Sequence, residues 1–203
     1  MNELDNLTYT YDELSDAAKR CALEKLHDRF APDHGWWETV YESISEFCRP
    51  LSAVEMHGFD GYGDWIAWRG SFRFNVEALE LMAQNYGGEQ EEEIIAYMQE
   101  TLALYELSKQ ALGLEDNKLW ANYGESRIHN GTVLDDCVLS YAEDSPLSDE
   151  LYTRLVKIKE DMCDMFLKWL NDEYDYITSD EYAIERAEDY DVRFDEEGSI
   201  VDD

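Results

Sequence analysis

The chain has 203 residues, of which 48 are acidic and 16 are basic, so its formal net charge is −32. Hydrophobic residues make up 44% and aromatic residues 13% of the sequence, which supplies a folded core and argues against a disordered acidic chain. Such a charge repels nucleic acid and anionic membrane surfaces, so neither is expected as a direct partner, and cationic partners are expected instead.

The N-terminal part of the chain predicts two helices. Thr10 and Glu13 have the spacing of a capping box, and the apolar period that follows them predicts a helix ending near Phe30. Asp33 is the candidate cap of a second helix, which Pro50 ends because proline offers no backbone N–H.

Residues 54–74 are rich in glycine and aromatic residues and contain three short pieces, 54–57, 65–68 and 71–74, and apolar and polar residues alternate in the first and the last of them. This pattern predicts strands around a glycine-containing loop at 58–63. Two helices are predicted next. The first starts at Val76, and the second runs from Gln90 to Leu112 with Gly113 as its left-handed cap.

The next segments predict a hairpin and then the element around which the fold is organised. Residues 119–141 form the predicted hairpin, with Asn130 and Gly131 as its type I′ turn. A helix over Leu147–Tyr176 follows, since apolar residues recur there at steps of three and four. The apolar positions are Leu151, Leu155, Ile158, Met162, Met165, Phe166, Trp169, Leu170 and Tyr174.

The last 30 residues predict a short helix, a strand and a tail. Thr178 and Glu181 have the spacing of a second capping box, and residues 190–194 alternate like an edge strand. Residues 195–203 are expected to be a frayed acidic tail. The sequence thus predicts a single α+β domain over 1–203, with an antiparallel sheet of about four strands from two hairpins, packed by helices that include a long C-terminal one.

The cellular setting is predicted from what the sequence lacks. Cys21, Cys48, Cys137 and Cys163 are widely spaced, so we expect free thiols, mostly buried. The N-terminus has no basic and apolar leader, and no stretch reaches 18 apolar residues. These features predict an intracellular, reducing environment.

Four segments, in order along the chain, resemble a family of small phage and prophage proteins. Residues 9–19 (YTYDELSDAAK) resemble its YTFDELSDEAKEKA opening, and residues 36–42 resemble its WW…VYED helix. Residues 58–74 are similar to its SGFWSQGDGA…GSYRY hairpin, and residues 174–181 to its YEYLTSDEAV end. The resemblance implies a phage or prophage accessory protein acting in the cytoplasm of a bacterial host. Some members carry the label of an antitoxin, and the family supplies no catalytic residues.

Catalytic motifs are missing from the sequence. The histidines, at positions 27, 34, 57 and 129, are scattered and form no HExxH pair. There is also no nucleophile elbow and no phosphate-binding loop. We therefore expect no enzyme activity, no metal site and no cofactor.

The acidic C-terminal segment suggests a function instead. Residues 171–203 contain 14 acids against Arg186 and Arg193. In a mostly helical segment this places a carboxylate about every 3.5 Å, close to the spacing of about 3.4 Å between phosphates of one DNA strand. The predicted partner-binding residues are Asp172, Glu173, Asp175, Asp180, Glu181, Glu185, Glu188, Asp189 and Asp191, with Glu91, Glu92 and Glu93 as a second patch.

Two functions from different classes follow. The first is an inhibitor that mimics DNA or RNA charge and binds a basic, nucleic-acid-handling defence protein of the bacterial host, of the CRISPR-Cas or restriction type. The alternative is an antitoxin-like protein that neutralises a basic toxin through an apolar patch with an acidic rim. Binding should weaken steeply with salt in the first case and hold in the second. The oligomeric state stays open, a dimer included.

Overall fold

The protein folds into two compact units. Unit 1 comprises residues 1–36 and 172–203, and unit 2 comprises residues 37–171. A mostly helical chain with short antiparallel strands confirms the predicted α+β class, whereas the single domain stays a prediction. The computed structural model describes residues 8–51, 54–59, 66–113, 119–129, 132–135 and 148–201.

The elements follow the predicted order. None of the described helices is long and apolar enough to cross a membrane. The helices are α1 (Asp16–Arg29), α2 (Glu38–Cys48), α3 (Val76–Asn85), α4 (Glu89–Leu112), α5 (Ser148–Ile177) and α6 (Asp180–Asp189). The strands are β1 (Val54–Phe59), β2 (Ile66–Arg73), β3 (Trp120–His129), β4 (Thr132–Asp135), β5 (Arg193–Phe194) and β6 (Ile200–Val201).

Strands β1 to β4 of unit 2 pair antiparallel, each with the next along the chain. Residues 66–73, which the sequence divides into two short pieces, form one continuous strand β2. Register shifts interrupt the β1–β2 ladder between Met56 and Gly58 and the β2–β3 ladder between Trp68 and Gly70. Gly58, predicted to lie in the loop at 58–63, belongs to strand β1 instead. The described residues do not include 60–63 of that loop, the predicted turn at 130–131, Cys137 or the predicted strand residues after 135.

The core of unit 2 is built around Trp68 of β2. Its ring meets those of Tyr123 on β3 and Phe166 on α5 at centroid distances of 5.6 and 5.7 Å. Trp68 also donates its indole N–H to the Cys163 sulfur at 3.0 Å, and Tyr123 donates its hydroxyl to the Leu155 carbonyl at 3.0 Å. These contacts place α5 against the sheet, as its apolar period predicts. The apolar residues of α5 that are almost fully buried are Leu151, Leu155, Ile158, Met162, Cys163, Met165, Phe166 and Leu170, and Lys159 is fully buried as well.

The predicted helix caps agree with the structure at some helix ends and differ at others. Gly113 ends α4 with φ at +64°, as predicted. The cap of α3 was missed: Asn75 accepts a hydrogen bond from the Ala78 amide at 2.8 Å. The prediction that Asp33 caps α2 is wrong, since that helix begins at Glu38 after Trp37.

The predicted capping box of Thr10 and Glu13 is confirmed, but neither predicted box caps the helix that the sequence assigns to it. Glu13 accepts a hydrogen bond from the Thr10 amide at 2.8 Å, but this closes a separate 3-10 turn, and Ser15 caps α1 by accepting from Ala18. Similarly, Ser179 rather than Thr178 caps α6. The Thr178 hydroxyl instead donates to a carbonyl of the last turn of α5 at 2.7 Å, so it is not available for capping.

The expectation of a frayed tail over 195–203 is wrong for residues 195–201. Strand β5 pairs antiparallel with β6, and Phe194 also pairs with Tyr9 through hydrogen bonds of 2.8 and 2.9 Å. Asp195 accepts backbone hydrogen bonds from Ser199 and Glu197, which lower the pKa of its carboxyl. The segment is ordered because Phe194 is fully buried against α1 residues. A strand of two residues is too short to show a period in the sequence, so this burial could not be predicted.

Small residues let α1 and α6 approach closely in unit 1. Ala18 and Ala22 on α1 and Ala183 and Ala187 on α6 belong to one buried cluster. Gly198 also packs on α1, where a Cβ atom at this position would lie 2.2 Å from the Ala18 carbonyl oxygen. Helix α6 therefore packs on the hydrophobic core of unit 1 through a narrow face of alanines, and its other residues are half-buried or exposed.

Candidate functional site

The structure places the predicted carboxylates in two separate groups. Nine lie in unit 1, and the three at 91–93 lie in the first turns of α4 in unit 2. We call the first group the C-terminal acidic surface. It consists of Asp172, Glu173 and Asp175 at the end of α5, of Asp180, Glu181, Glu185, Glu188 and Asp189 on α6, and of Asp191 just after α6.

The carboxylates of α6 occupy one side of the helix. At about 100° per residue, four of its five acids fall within about 100° of the circumference, opposite the buried Ala183 and Ala187. The fifth, Asp180, lies beside the alanine face and contacts His27 of α1. All five are exposed. Because α6 has ten residues, its axis is about 15 Å long and carries a carboxylate about every 3 Å. The outer half of α6 is therefore a dense acidic face, with axial gaps between successive acids of about 1.5 to 6 Å.

Tyr176 ties the end of α5 to α6. Its hydroxyl donates to the Glu185 carboxylate at 2.7 Å, and its ring packs edge-on against Tyr182 with centroids 5.3 Å apart. Asp172 and Glu173 lie four and three residues before Tyr176, on the same side of α5. The contact joins the carboxylates of the two helices into one surface.

Two further contacts fix α6 at its ends. His27 on α1 meets the Asp180 carboxylate with Nε2 and Oδ1 2.8 Å apart. At the other end Arg186 donates to Asp189 at 3.3 Å and to the Tyr190 hydroxyl at 2.7 Å. Arg186 partly neutralises Asp189, and Arg193 does the same for Asp191 at 2.6 Å.

The helix dipole favours Asp180 and Glu181 in the first turn of α6, but it does not favour the acids in the last turns. A helix C-terminus carries a partial negative charge, so an acid in the last turn destabilises the helix by about 0.3–1 kcal/mol. Glu188 and Asp189 are in the last turn of α6, and Asp175 is in the last turn of α5, which has no basic residue there. The acids at these ends oppose helix stability, which indicates that they serve something other than folding.

One carboxylate that the sequence analysis missed extends the surface. Asp12 lines a cavity of about 280 Å³ together with Glu188, Asp191, Tyr11 and other residues of the 3-10 turn and α6. Asp12 lies more than 170 residues before Glu188, so no local sequence signal could have joined them. The chain termini thus both contribute acids to the same surface of unit 1.

The second patch adjoins a cavity that contains both acidic and basic side chains. Glu93 lines a cavity of about 270 Å³ in unit 2 with Tyr97, Lys157 and Asp161, among other residues. Lys157 donates to both carboxylate oxygens of Asp161 at 2.7 and 2.6 Å, and this hydrogen bonding raises the pKa of the lysine. The lysine therefore pairs with Asp161 and not with the second patch, of which only Glu93 lines this cavity.

Comparison with known proteins adds no relative. No family model matches the chain, and neither the curated proteins nor the solved structures give a significant match. The resemblance to phage proteins therefore stays an expectation from the sequence. Within the ranges that the structure describes, no group of three or more His, Cys, Asp or Glu side chains is placed to hold a metal ion.

Titration of Tyr176 tests the contact between α5 and α6. The hydrogen bond to Glu185, more than desolvation or neighbouring charges, raises the pKa of Tyr176 from 10.0 to about 12. Since the folded-state value is the higher one, the contribution of the protonated hydroxyl to stability is complete below pH 10.0 and is lost as the pH rises through about 12. The tyrosinate absorbance of the wild type minus that of Tyr176→Phe should titrate near 12.

The matched control for this titration removes only the acceptor. In the Glu185→Ala protein the same difference titration should move back toward the ordinary tyrosine value of 10.0. A midpoint that is the same with and without the Glu185 carboxylate would contradict the contact and with it the joining of α5 to α6.

Proposed function

We propose that this chain inhibits a nucleic-acid-handling protein of a bacterial host by presenting the C-terminal acidic surface in place of a phosphate backbone. The observation that carries the proposal is the outer half of α6, where four exposed carboxylates lie opposite the buried alanine face. With its five acids, α6 carries on average one carboxylate per about 3 Å of helix axis, a density close to that of phosphates about 3.4 Å apart along one DNA strand.

The electrostatics of unit 1 support this proposal. Residues 172–203 contain 14 acidic and 2 basic residues, and both of the basic residues already contact acids of the same surface. A cationic groove that meets this surface would release its bound anions and gain the attraction that it normally gains from nucleic acid. Folded carboxylates cannot be cleaved as a phosphodiester can, so the groove would be blocked by something that is not a substrate.

The setting of the proposal comes from the sequence. The resemblance to phage and prophage proteins favours a host defence protein, of the CRISPR-Cas or restriction type, as the target. The location would then be the cytoplasm of the bacterial host, and the action would need neither a cofactor nor an activity of its own.

A pull-down from bacterial lysate with the tagged full chain tests the proposal. We expect it to retain a DNA- or RNA-handling protein that elutes when the salt concentration is raised and that is displaced by added nucleic acid. A small basic protein held through high salt and not displaced by nucleic acid would overturn mimicry and favour the antitoxin-like alternative.

A further inference from the structure

Helices α3 and α4 of unit 2 form an apolar groove that contains none of the predicted partner-binding acids. Its volume is about 560 Å³. Leu79 and Leu102 are buried at its floor, whereas Val76 and Leu107 on its walls are 59% and 65% exposed. The remaining lining residues are Glu80, Gln99, Ala103, Glu106 and Gln110. Large aliphatic side chains are thus presented to solvent on both walls of one depression.

The groove has the shape of a helix-binding site. Its α4 residues, from Gln99 to Gln110, recur at steps of three and four and form a stripe about 17 Å long. That length matches about three turns of a docked helix, whose apolar residues would meet the stripe at the same period. A small ligand is a poorer match, because its site usually encloses 70–90% or more of the ligand surface and here both walls are open.

The negative charge around the groove favours a docked helix that carries basic residues. Residues 76–112, which include both helices, contain eight acids and one base, Lys109. Lys109 is already paired with Glu106 at 3.0 Å, and Glu80 stands on the opposite side of the groove. A second copy of this chain would bring acids against acids, whereas a helix with lysine or arginine beside its apolar stripe would find carboxylates on both sides.

We propose that the α3–α4 groove binds one amphipathic helix of a partner protein, with an apolar stripe of about three turns flanked by basic residues. The groove lies in unit 2 and the C-terminal acidic surface in unit 1, so this inference does not rest on the proposed function. The apolar contact supplies affinity that salt does not screen, and the acidic rim sets the charge of the partner helix.

Two labelled peptides and two variants of the full chain test this proposal. The peptides share a leucine stripe and differ only in having lysine or glutamate beside it. Leu107→Lys places a cation in the groove, and Leu81→Lys makes the same charge change at a 46% exposed leucine of α3 that does not line the groove. Because both leucines are exposed, neither change should disturb the fold, which circular dichroism checks.

Fluorescence anisotropy at physiological salt gives the result. We expect the lysine peptide to bind the wild type, Leu107→Lys to weaken binding about tenfold or more, and Leu81→Lys to leave it within about twofold. Equal weakening by both variants, or equally tight binding of the glutamate peptide, would overturn the proposal. So would a wild-type dimer that Leu107→Lys converts to a monomer by light scattering, since a second copy would then occupy the groove.

Discussion

Replacing Asp175, Glu181 and Glu188 together by lysine is expected to weaken binding to the cationic partner about a hundredfold. These side chains are exposed and make no hydrogen bond or ion pair with another described residue, so they are free to meet the partner. A loss of about 1 kcal/mol for each contact, about 3 kcal/mol in all, corresponds to that factor. Isothermal titration calorimetry with the partner measures it.

The fold should survive this triple change. Lysine at position 181, in the first turn of α6, removes a favourable interaction with the helix dipole. Lysine at positions 175 and 188, in the last turns of α5 and α6, adds favourable ones of similar size. The circular dichroism spectrum of the variant should match that of the wild type.

The control is an equal change of charge elsewhere. Glu38, Glu42 and Glu77 are exposed acids on α2 and α3 of unit 2. Their replacement by lysine alters the net charge by the same amount without touching the C-terminal acidic surface, so binding should stay within about threefold of the wild type. If the control lost as much affinity as the surface variant, net charge rather than this surface would explain binding.

Gly198→Ala is expected to lower the free energy of unfolding of unit 1 by about 3 kcal/mol. Gly198 has φ at +83°, which strains an alanine, and the added Cβ would lie 2.2 Å from the Ala18 carbonyl oxygen. The backbone strain amounts to about 1–3 kcal/mol, and the forced shift of the tail or of α1 adds a similar amount. Hydrogen exchange of the α1 amides reports the loss for this unit.

Gly113→Ala is the matched control for that change. This glycine also has a positive φ, +64°, but a Cβ atom there would meet nothing within 4 Å. Only the backbone term remains, so we expect a loss of about 1 kcal/mol, measured for the α4 amides. If Gly198→Ala exchanged no faster in α1 than the wild type, the tail would not be seated on α1 as the structure shows.

Local patterns predicted the elements that carry strong periodic signals. The apolar period of α5 and the glycine that ends α4 were sufficient, because both depend on residues within a few turns of each other. The sequence could not show whether Thr178 or Ser179 caps α6, because this depends on the residue at which α5 ends. The order of the tail was missed because Phe194 is held by Tyr9 and by α1, which lie at the other end of the chain.

The sequence predicted which residue types make up the candidate site, but not how they are arranged in space. The sequence indicates that the C-terminal segment is acidic, and the structure shows which of its acids are paired. Asp180 meets His27, and Glu185 meets Tyr176, at distances of 2.8 and 2.7 Å. Asp12 joins the same surface from the N-terminus. Contacts between such distant positions depend on the packing of α6 on α1, which the order of residues alone does not reveal.

Competition with nucleic acid tests the central claim most directly. The retained host protein would be titrated with the full chain at increasing concentrations of its own DNA or RNA ligand. If the C-terminal acidic surface occupies the nucleic-acid groove, the apparent Kd should rise in proportion to the nucleic acid concentration, and the affinity should fall steeply with salt. An apparent Kd that stays constant when the host protein is saturated with nucleic acid would contradict mimicry.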